Sequence, residues 1–281
     1  MSRPAAKRPP VSRSMRKPVS RTPSWVAPVA VVAGIALLVV AFLVIRWYTT
    51  PVAPPPLTVD ATQLVISSIT SLPASELDAV GTGSANNLIK RVSGTPQTGP
   101  NGHPEVFYLG AEYCPYCAAE RWPMIIALSR FGTFSGLKTT SSSSTDVYAN
   151  TPTFTFHGAT YTSQYVDFVS VETTDRNRNP LETPTSAQQA LVNQYDTSGS
   201  IPFVDFGNRY AFNGAMYLPD VLSGMSWQAV ADSLAQSSSP QAKAILGSAN
   251  LVTAAICRLT ADQPATVCSS SAIQAIEQKL G

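Results

Sequence analysis

The chain has 281 residues, 44% of them apolar and 13% charged, which suits one large domain or two small ones and excludes a wholly disordered chain. Four cysteines are too few for a disulfide-dense small scaffold, and two histidines leave little for a His-rich metal site. The formal charge of +2 hides a split: residues 1–50 hold eight of the 19 Lys and Arg and no acid, while the rest carries a net −6 and so lacks the basic excess that nucleic-acid phosphates call for.

In chain order, residues 1–24 form a basic tail. Residues 25–45, WVAPVAVVAGIALLVVAFLVI, are a run of 21 without a charge. At about 1.5 Å per residue this spans roughly 30 Å, the hydrocarbon thickness of a bilayer. Trp25 at one end and Trp47 with Tyr48 at the other suit interfacial anchors. The run is longer than the apolar core of a cleavable signal, so it reads as a retained transmembrane helix. Seven basic residues precede it, and after Arg46 none follows until Lys90. The positive-inside rule then puts the N-terminus in the cytoplasm and the body outside, in a single-pass arrangement at the cell membrane. The tail needs no partner beyond anionic headgroups. Residues 46–57 form a Pro-rich linker, with four prolines in TTPVAPPPL, and residues 58–281 form one extracytoplasmic domain.

Within that domain, Ser75 is placed to cap a short helix, and residues 93–104 read as a Gly/Pro loop. Val106 to Gly110 is a compact apolar run, readable as a buried strand, and Ala118 to Phe131 reads as a helix. Thr139 to Thr145 (TTSSSST) is expected to be a solvated loop or edge strand. Residues 153–172 alternate like strands around a His157-Gly158 turn. Ser186 to Tyr195 reads as a helix, Ile201 to Phe206 as a strand turned by Gly207-Asn208 into Tyr210, and the chain from Leu218 onward as helical. The order predicts an α/β fold with a mixed sheet.

The informative segment is FYLGAEYCPYCAAERWP, residues 107–123. A Cys-Pro-Tyr-Cys sequence follows a predicted strand and opens a helix. A thiol at a helix N-terminus faces unpaired N–H groups and the positive end of the dipole, and both favour the thiolate. With two residues between the sulfurs, one can attack and the other can resolve the mixed disulfide. Cys114 is the expected attacker and Cys117 the resolving thiol, and Pro115 suits the first turn. Glu120, three residues after Cys117, is a candidate proton acceptor, although a solvated glutamate is the plainer reading; Glu112 flanks the motif from the other side. Tyr113 and Trp122 frame the site or pack the core. Downstream, Ile201-Pro202 opens a strand whose first residue cannot donate to the sheet.

Strand, Cys-x-x-Cys, a helix with an internal Pro123, then Ile-Pro, strand, Gly-Asn turn, strand and helix resembles the thioredoxin fold, and the Pro-Tyr dipeptide is similar to glutaredoxins. The string GAEYCPYCAAERW also resembles a prokaryotic membrane-anchored family known only as a domain of unknown function with an assigned thioredoxin-like fold. The resemblance implies that Cys114 and Cys117 match the redox pair and Pro202 the cis-proline. This chain departs from thioredoxin at two points. Cys117 and Pro202 lie 85 positions apart, which places a β-rich insertion at 133–185, and Pro123 comes six residues after Cys117, one more than in thioredoxin.

Cys257 closes a helical run and Cys268 precedes the last helix, so a structural Cys257–Cys268 disulfide is expected to staple the two; closing so short a loop contributes about 3 kcal/mol. A relay from this pair to Cys114 is the alternative. A zinc site would need a second Cys or His pair at ligand spacing, and His103 and His157 sit in separate loops. The expectation is therefore a membrane-anchored thiol–disulfide oxidoreductase without cofactor or metal. It would act on exported protein thiols and disulfides and be recharged by a membrane redox partner. A non-catalytic thioredoxin-like binding or scaffold module, or a metal-handling domain, stands beside it.

Overall fold

The computed structural model describes residues 26–49, 52 and 55–280. The basic tail, Trp25, residues 50, 51, 53 and 54 of the Pro-rich linker, and Gly281 lie outside the described residues. Contacts cluster into two units, one containing the N-terminal helix and one spanning residues 50–281. The first holds α1 (Val26–Thr49), with Pro28 in its opening turn; its Val31–Thr49 portion has a mean hydropathy of 2.4. It is long and apolar enough to cross a membrane, as a membrane anchor or a signal sequence would be. It runs past Ile45, the expected end, and takes in Arg46, Trp47 and Tyr48.

In the second unit, α2 (Val59–Thr70) starts where the Thr58 hydroxyl accepts the Ala61 N–H, and it buries Val65, Ile66 and Ile69. The helix α3 (Ala74–Val80) begins directly after Pro73, so Ser75 lies inside it and is not its cap. The two-residue strand β1 (Lys90–Arg91) leads through the Gly/Pro loop to β2 (Glu105–Gly110). Then come α4 (Pro115–Leu128), β3 (Gly132–Ser135), β4 (Lys138–Ser141), β5 (Pro152–Thr155), β6 (Thr160–Ser163) and β7 (Asp167–Glu172). After α5 (Ser186–Tyr195), a hairpin of β8 (Phe203–Phe206) and β9 (Tyr210–Asn213) follows. A 3-10 turn at Pro219–Leu222 leads into α6 (Trp227–Leu234), α7 (Pro240–Leu259), α8 (Ala265–Cys268) and α9 (Ser271–Leu280).

The central sheet has the order β1-β9-β8-β2-β7 and is mixed: β7 runs parallel to β2, and the other neighbours are antiparallel. All of β2 is buried, because both faces of the sheet are covered. Phe107 and Leu109 pack with Phe203 and Ala211 against Leu191 and Val192 of α5. Val106 and Tyr108 point the other way, joining Val204, Phe206 and Phe212 in a larger core with α4 and α7. The alternation of a strand thus builds three layers. Gly207 and Asn208 both take φ near +58°, the left-handed turn that the β8–β9 hairpin needs. The helix α7 is also long and apolar, but it is 83% buried inside this unit and forms part of its core.

The region between α4 and β7 is β-rich, as expected, but its bounds differ. Two small sheets, β3 with β6 and β4 with β5, occupy residues 132–163. The strand β7, read from sequence as part of the insertion, belongs to the central sheet. The serine run opens as an edge strand, with Thr139 to Ser141 in β4, and is exposed at Ser144 and Thr145, as expected, but Ser141, Ser142 and Ser143 are buried. Their polarity is satisfied locally, with the Ser142 hydroxyl donating to the Tyr148 carbonyl and that of Ser143 bonded to Thr145.

Candidate thiol site

The strand β2 delivers the chain to Cys114, which takes the extended N-cap conformation and opens α4. The helix starts three residues before the expected Ala118, because Pro115 fits its first turn and the Cys114 sulfur replaces the usual oxygen cap. The Cys117 N–H donates to Cys114 Sγ at 3.3 Å. On the other side, Cys114 Sγ lies 3.6 Å from the Ile201 carbonyl oxygen, at the mouth of β8. The Ile201–Pro202 peptide is cis. The structure therefore brings together Cys114, Cys117 and the Ile201–Pro202 segment. Both cysteines are free thiols; Cys117 is fully buried and Cys114 is 5% exposed.

Their surroundings push the two thiols apart in acidity. The Cys117 thiol, hydrogen-bonded to the Cys114 sulfur, holds Cys114 below the ordinary thiol range; the Cys117 N–H and the Arg121 guanidinium act the same way against burial. Burial drives Cys117 well above that range. An outer, acidic thiol thus stands over an inner, reluctant one.

Glu120 is not the solvated side chain that the plainer reading expects. It is fully buried, and its Oε2 accepts the Met216 N–H at 3.0 Å. Burial raises its pKa to about 8, opposed by that hydrogen bond. Beside it, Pro123 has no N–H for the Ala119 carbonyl, and the Tyr217 hydroxyl donates to that carbonyl at 2.7 Å. The segment after β9 therefore clasps α4 at its internal proline. Because the folded pKa of Glu120 lies above its unfolded value, its contribution to stability is full below about pH 4.5 and is lost as pH rises towards about 8. We expect Glu120→Gln to remove that slope, which reaches about tenfold in the folding equilibrium per pH unit. Urea titrations of the two chains at pH 5 and pH 8 check this, and parallel pH profiles would refute it.

Several neighbours of the thiols carried no signal in the sequence. Arg121 is completely buried, with Nε and Nη2 each 2.7 Å from a different oxygen of Glu172, which is also buried. Its guanidinium lies over the Tyr108 ring, 5.9 Å from the centroid. Gly110 leaves the room that the Tyr108 hydroxyl occupies, which a Cβ would fill. The insertion and the loop after β7 supply a rim. Ser143 N–H donates to the Tyr113 carbonyl, Tyr148 packs edge-on to Tyr116, and Arg176 bonds the Ser142 carbonyl and Asn150. Arg178 stacks on half-buried Tyr113 at 3.8 Å and pairs with Asp146 at 3.6 Å. Glu112 is buried and receives the Thr140 hydroxyl. Trp122 is a core residue, fully buried, whose indole N–H donates to the Pro152 carbonyl.

Elsewhere, Cys257 and Cys268 form a disulfide with a Cα–Cα distance of 5.6 Å, joining α7 to α8. His103 sits 3.4 Å from Asp167, and His157 sits 2.7 Å from Glu182. Among the described residues no three His, Cys, Asp or Glu side chains cluster to hold a metal ion. A cleft of about 350 Å³ lies between β6 and β7, lined by Phe134, Tyr161, Asp167 and Phe168; neither cysteine borders it.

Comparison with family models gives one match: residues 90–258 fit the family described as "Domain of unknown function (DUF929)". No curated protein and no solved structure matches the chain.

Proposed function

The chain belongs to this DUF929 family, and we propose that it is a membrane-anchored, extracytoplasmic thiol–disulfide oxidoreductase acting on exported proteins. The observation that carries the reading is the placement of Cys114. Its sulfur caps α4, accepts the Cys117 N–H and faces the Ile201 carbonyl across the site. The chain order β2, α4, β7, α5, β8, β9, α7, on a sheet with β2 and β8 at its centre, resembles the thioredoxin fold and supports the same reading.

The chemistry follows from the two acidities. The Cys114 thiolate attacks one sulfur of a substrate disulfide; that S–S bond breaks, and the departing substrate thiolate takes a proton from water. Cys117 then gives up its proton to solvent, and its thiolate attacks the Cys114 sulfur of the mixed disulfide. The second substrate thiolate leaves, and a Cys114–Cys117 disulfide forms. Two electrons have passed to the substrate, and run in reverse the same steps oxidise a substrate dithiol. Placed after α1, the domain would meet exported chains at the membrane, and a membrane redox partner would restore the pair. Pro202 shapes the wall facing Cys114, and Glu120 is the nearest carboxyl to Cys117 in sequence on α4.

The test is the reduction potential of the pair in the full-length chain in detergent, by equilibration in glutathione buffers with thiol trapping and mass spectrometry. A value of about −120 to −180 mV assigns oxidation or isomerisation of substrates, and one near about −270 mV assigns reduction. A pair that exchanges with glutathione in no buffer would overturn the proposal and leave a binding module.

A further inference from the structure

The Arg121–Glu172 pair is costly to keep. Two charges removed from water lose their hydration, and apolar residues of similar size often stabilise a fold as well or better. Both side chains here are 0% exposed. The pairing is also incomplete. Arg121 Nη1 is buried with no hydrogen-bond partner among the described residues, as is the Tyr108 hydroxyl beneath it. A buried donor without an acceptor adds the cost of its own lost hydration.

Position supplies a reason for the expense. Arg121 lies four residues after Cys117, one turn along the same face of α4. Glu172 ends β7 opposite Gly110, at the strand end that leads to Cys114. Glu172 is held at both ends: its backbone N–H donates to Glu182 Oε2 at 2.7 Å, with Glu182 in turn bonded to His157, and its carboxylate also accepts the Phe156 backbone N–H. The cation is therefore fixed beside the thiols by a carboxylate anchored at its own backbone.

We propose that Arg121 is a positioning residue for the thiol pair: a fixed buried cation, with an unused donor, that receives the negative charge on Cys114–Cys117 when the pair is reduced. This rests on the redox reading of the site and names what tunes it. The titratable groups that face it are Tyr108 on β2, Glu172 on β7 and the two thiols, Cys114 and Cys117, at the start of α4; Glu112 acts on Glu172, and Glu182 and His157 stand behind Glu172. Arg121 is the cation held inside this group by a direct bond, and its effect on the thiols has a defined sign.

The experiment reads the pH profile of Cys114 alkylation by iodoacetamide in the reduced full-length chain, followed by mass spectrometry, alongside the reduction potential. In the double variant Arg121→Met/Glu172→Met, which keeps the volume and removes both charges, the alkylation midpoint should move up by about one pH unit. A tenfold loss of thiolate stability corresponds to a potential about 30 mV more negative. In Glu172→Gln, where the cation loses its counter-charge, both readings should move the opposite way. Arg121→Lys should bring the midpoint back towards that of the natural chain. A folded double variant with an unchanged midpoint overturns the assignment, as do two variants that shift in the same direction. If the double variant does not fold, the sign of the Glu172→Gln shift decides. Alkylation needs only a reduced Cys114, so a chain that shows these shifts yet exchanges with no disulfide would refute the enzymatic reading and leave the role of Arg121 standing.

Discussion

Replacing Cys114 with serine is expected to abolish thiol–disulfide exchange without loosening the fold. The thiolate is the nucleophile, and a serine hydroxyl at neutral pH has no comparable anionic form, so a fall of about a thousandfold or more is expected. The structure separates this loss from unfolding. Cys114 is the N-cap of α4, and its sulfur accepts the Cys117 N–H. Serine is among the best N-cap residues, so Cys114→Ser keeps or improves the cap. Cys117→Ser should behave differently. Cys114 still attacks, but the buried second thiol is missing and the mixed disulfide persists. Non-reducing electrophoresis of cells expressing Cys117→Ser should show adducts that collapse with dithiothreitol and are absent from Cys114→Ser. Full turnover by Cys114→Ser, or a Cys117→Ser chain that traps nothing, would speak against the mechanism.

Trp122→Ala is expected to cost about 3–5 kcal/mol, in the upper range for a core truncation. The indole is fully buried, packs edge-on against Phe154 at 4.8 Å and donates to the Pro152 carbonyl at 2.9 Å. Trp227 makes the matching bond to the Thr153 carbonyl, and the Thr153 hydroxyl donates back to the Ala118 carbonyl on α4. Two tryptophans from different helices thus hold β5, and through it the insertion, against the helix that carries the thiols. At 2–4 °C per kcal/mol for a domain of this size, the melting temperature should drop by roughly 6–20 °C. Trp122→Phe, which keeps a ring and loses the hydrogen bond, should fall between. Thermal melts followed by circular dichroism settle the order, and a Trp122→Ala chain that melts with the natural one would contradict it.

Local features were legible in the sequence, and long-range pairings were not. The helix Ser186–Tyr195 matches its expected span, as its Thr185 capping box and apolar spacing allow. The Gly207-Asn208 turn, the buried run of β2 and the Cys257–Cys268 pair were equally readable, since each depends on neighbours in sequence or on a short loop. The end of the insertion was not, because the pairing of β7 with β2 is set across 62 residues of register, Glu105 to Asp167. Arg121 and Glu172 are separated by 51 positions, and nothing in the pattern of α4 distinguishes Arg121 from a solvated charge. Polarity also misled at Glu120 and at Ser141 to Ser143 within the serine run. Glu120 is buried with one oxygen on the Met216 N–H and the other without a partner among the described residues, whereas Ser142 and Ser143 find theirs nearby, in the Tyr148 carbonyl and the Thr145 hydroxyl.

The clasp on α4 bears on how fast the site can work. Ala118 and Ala119 carbonyls and the Glu120 carboxylate, one after another just beyond Cys117, are each held from outside the helix by Thr153, Tyr217 and Met216. In the exchange proposed above, these bonds would hold the helix backbone beyond Cys117 in place while the two sulfurs pass between dithiol and disulfide. For the proposed activity, a centre anchored this way implies a small reorganisation cost, with turnover set by how often a substrate sulfur reaches Cys114 in line.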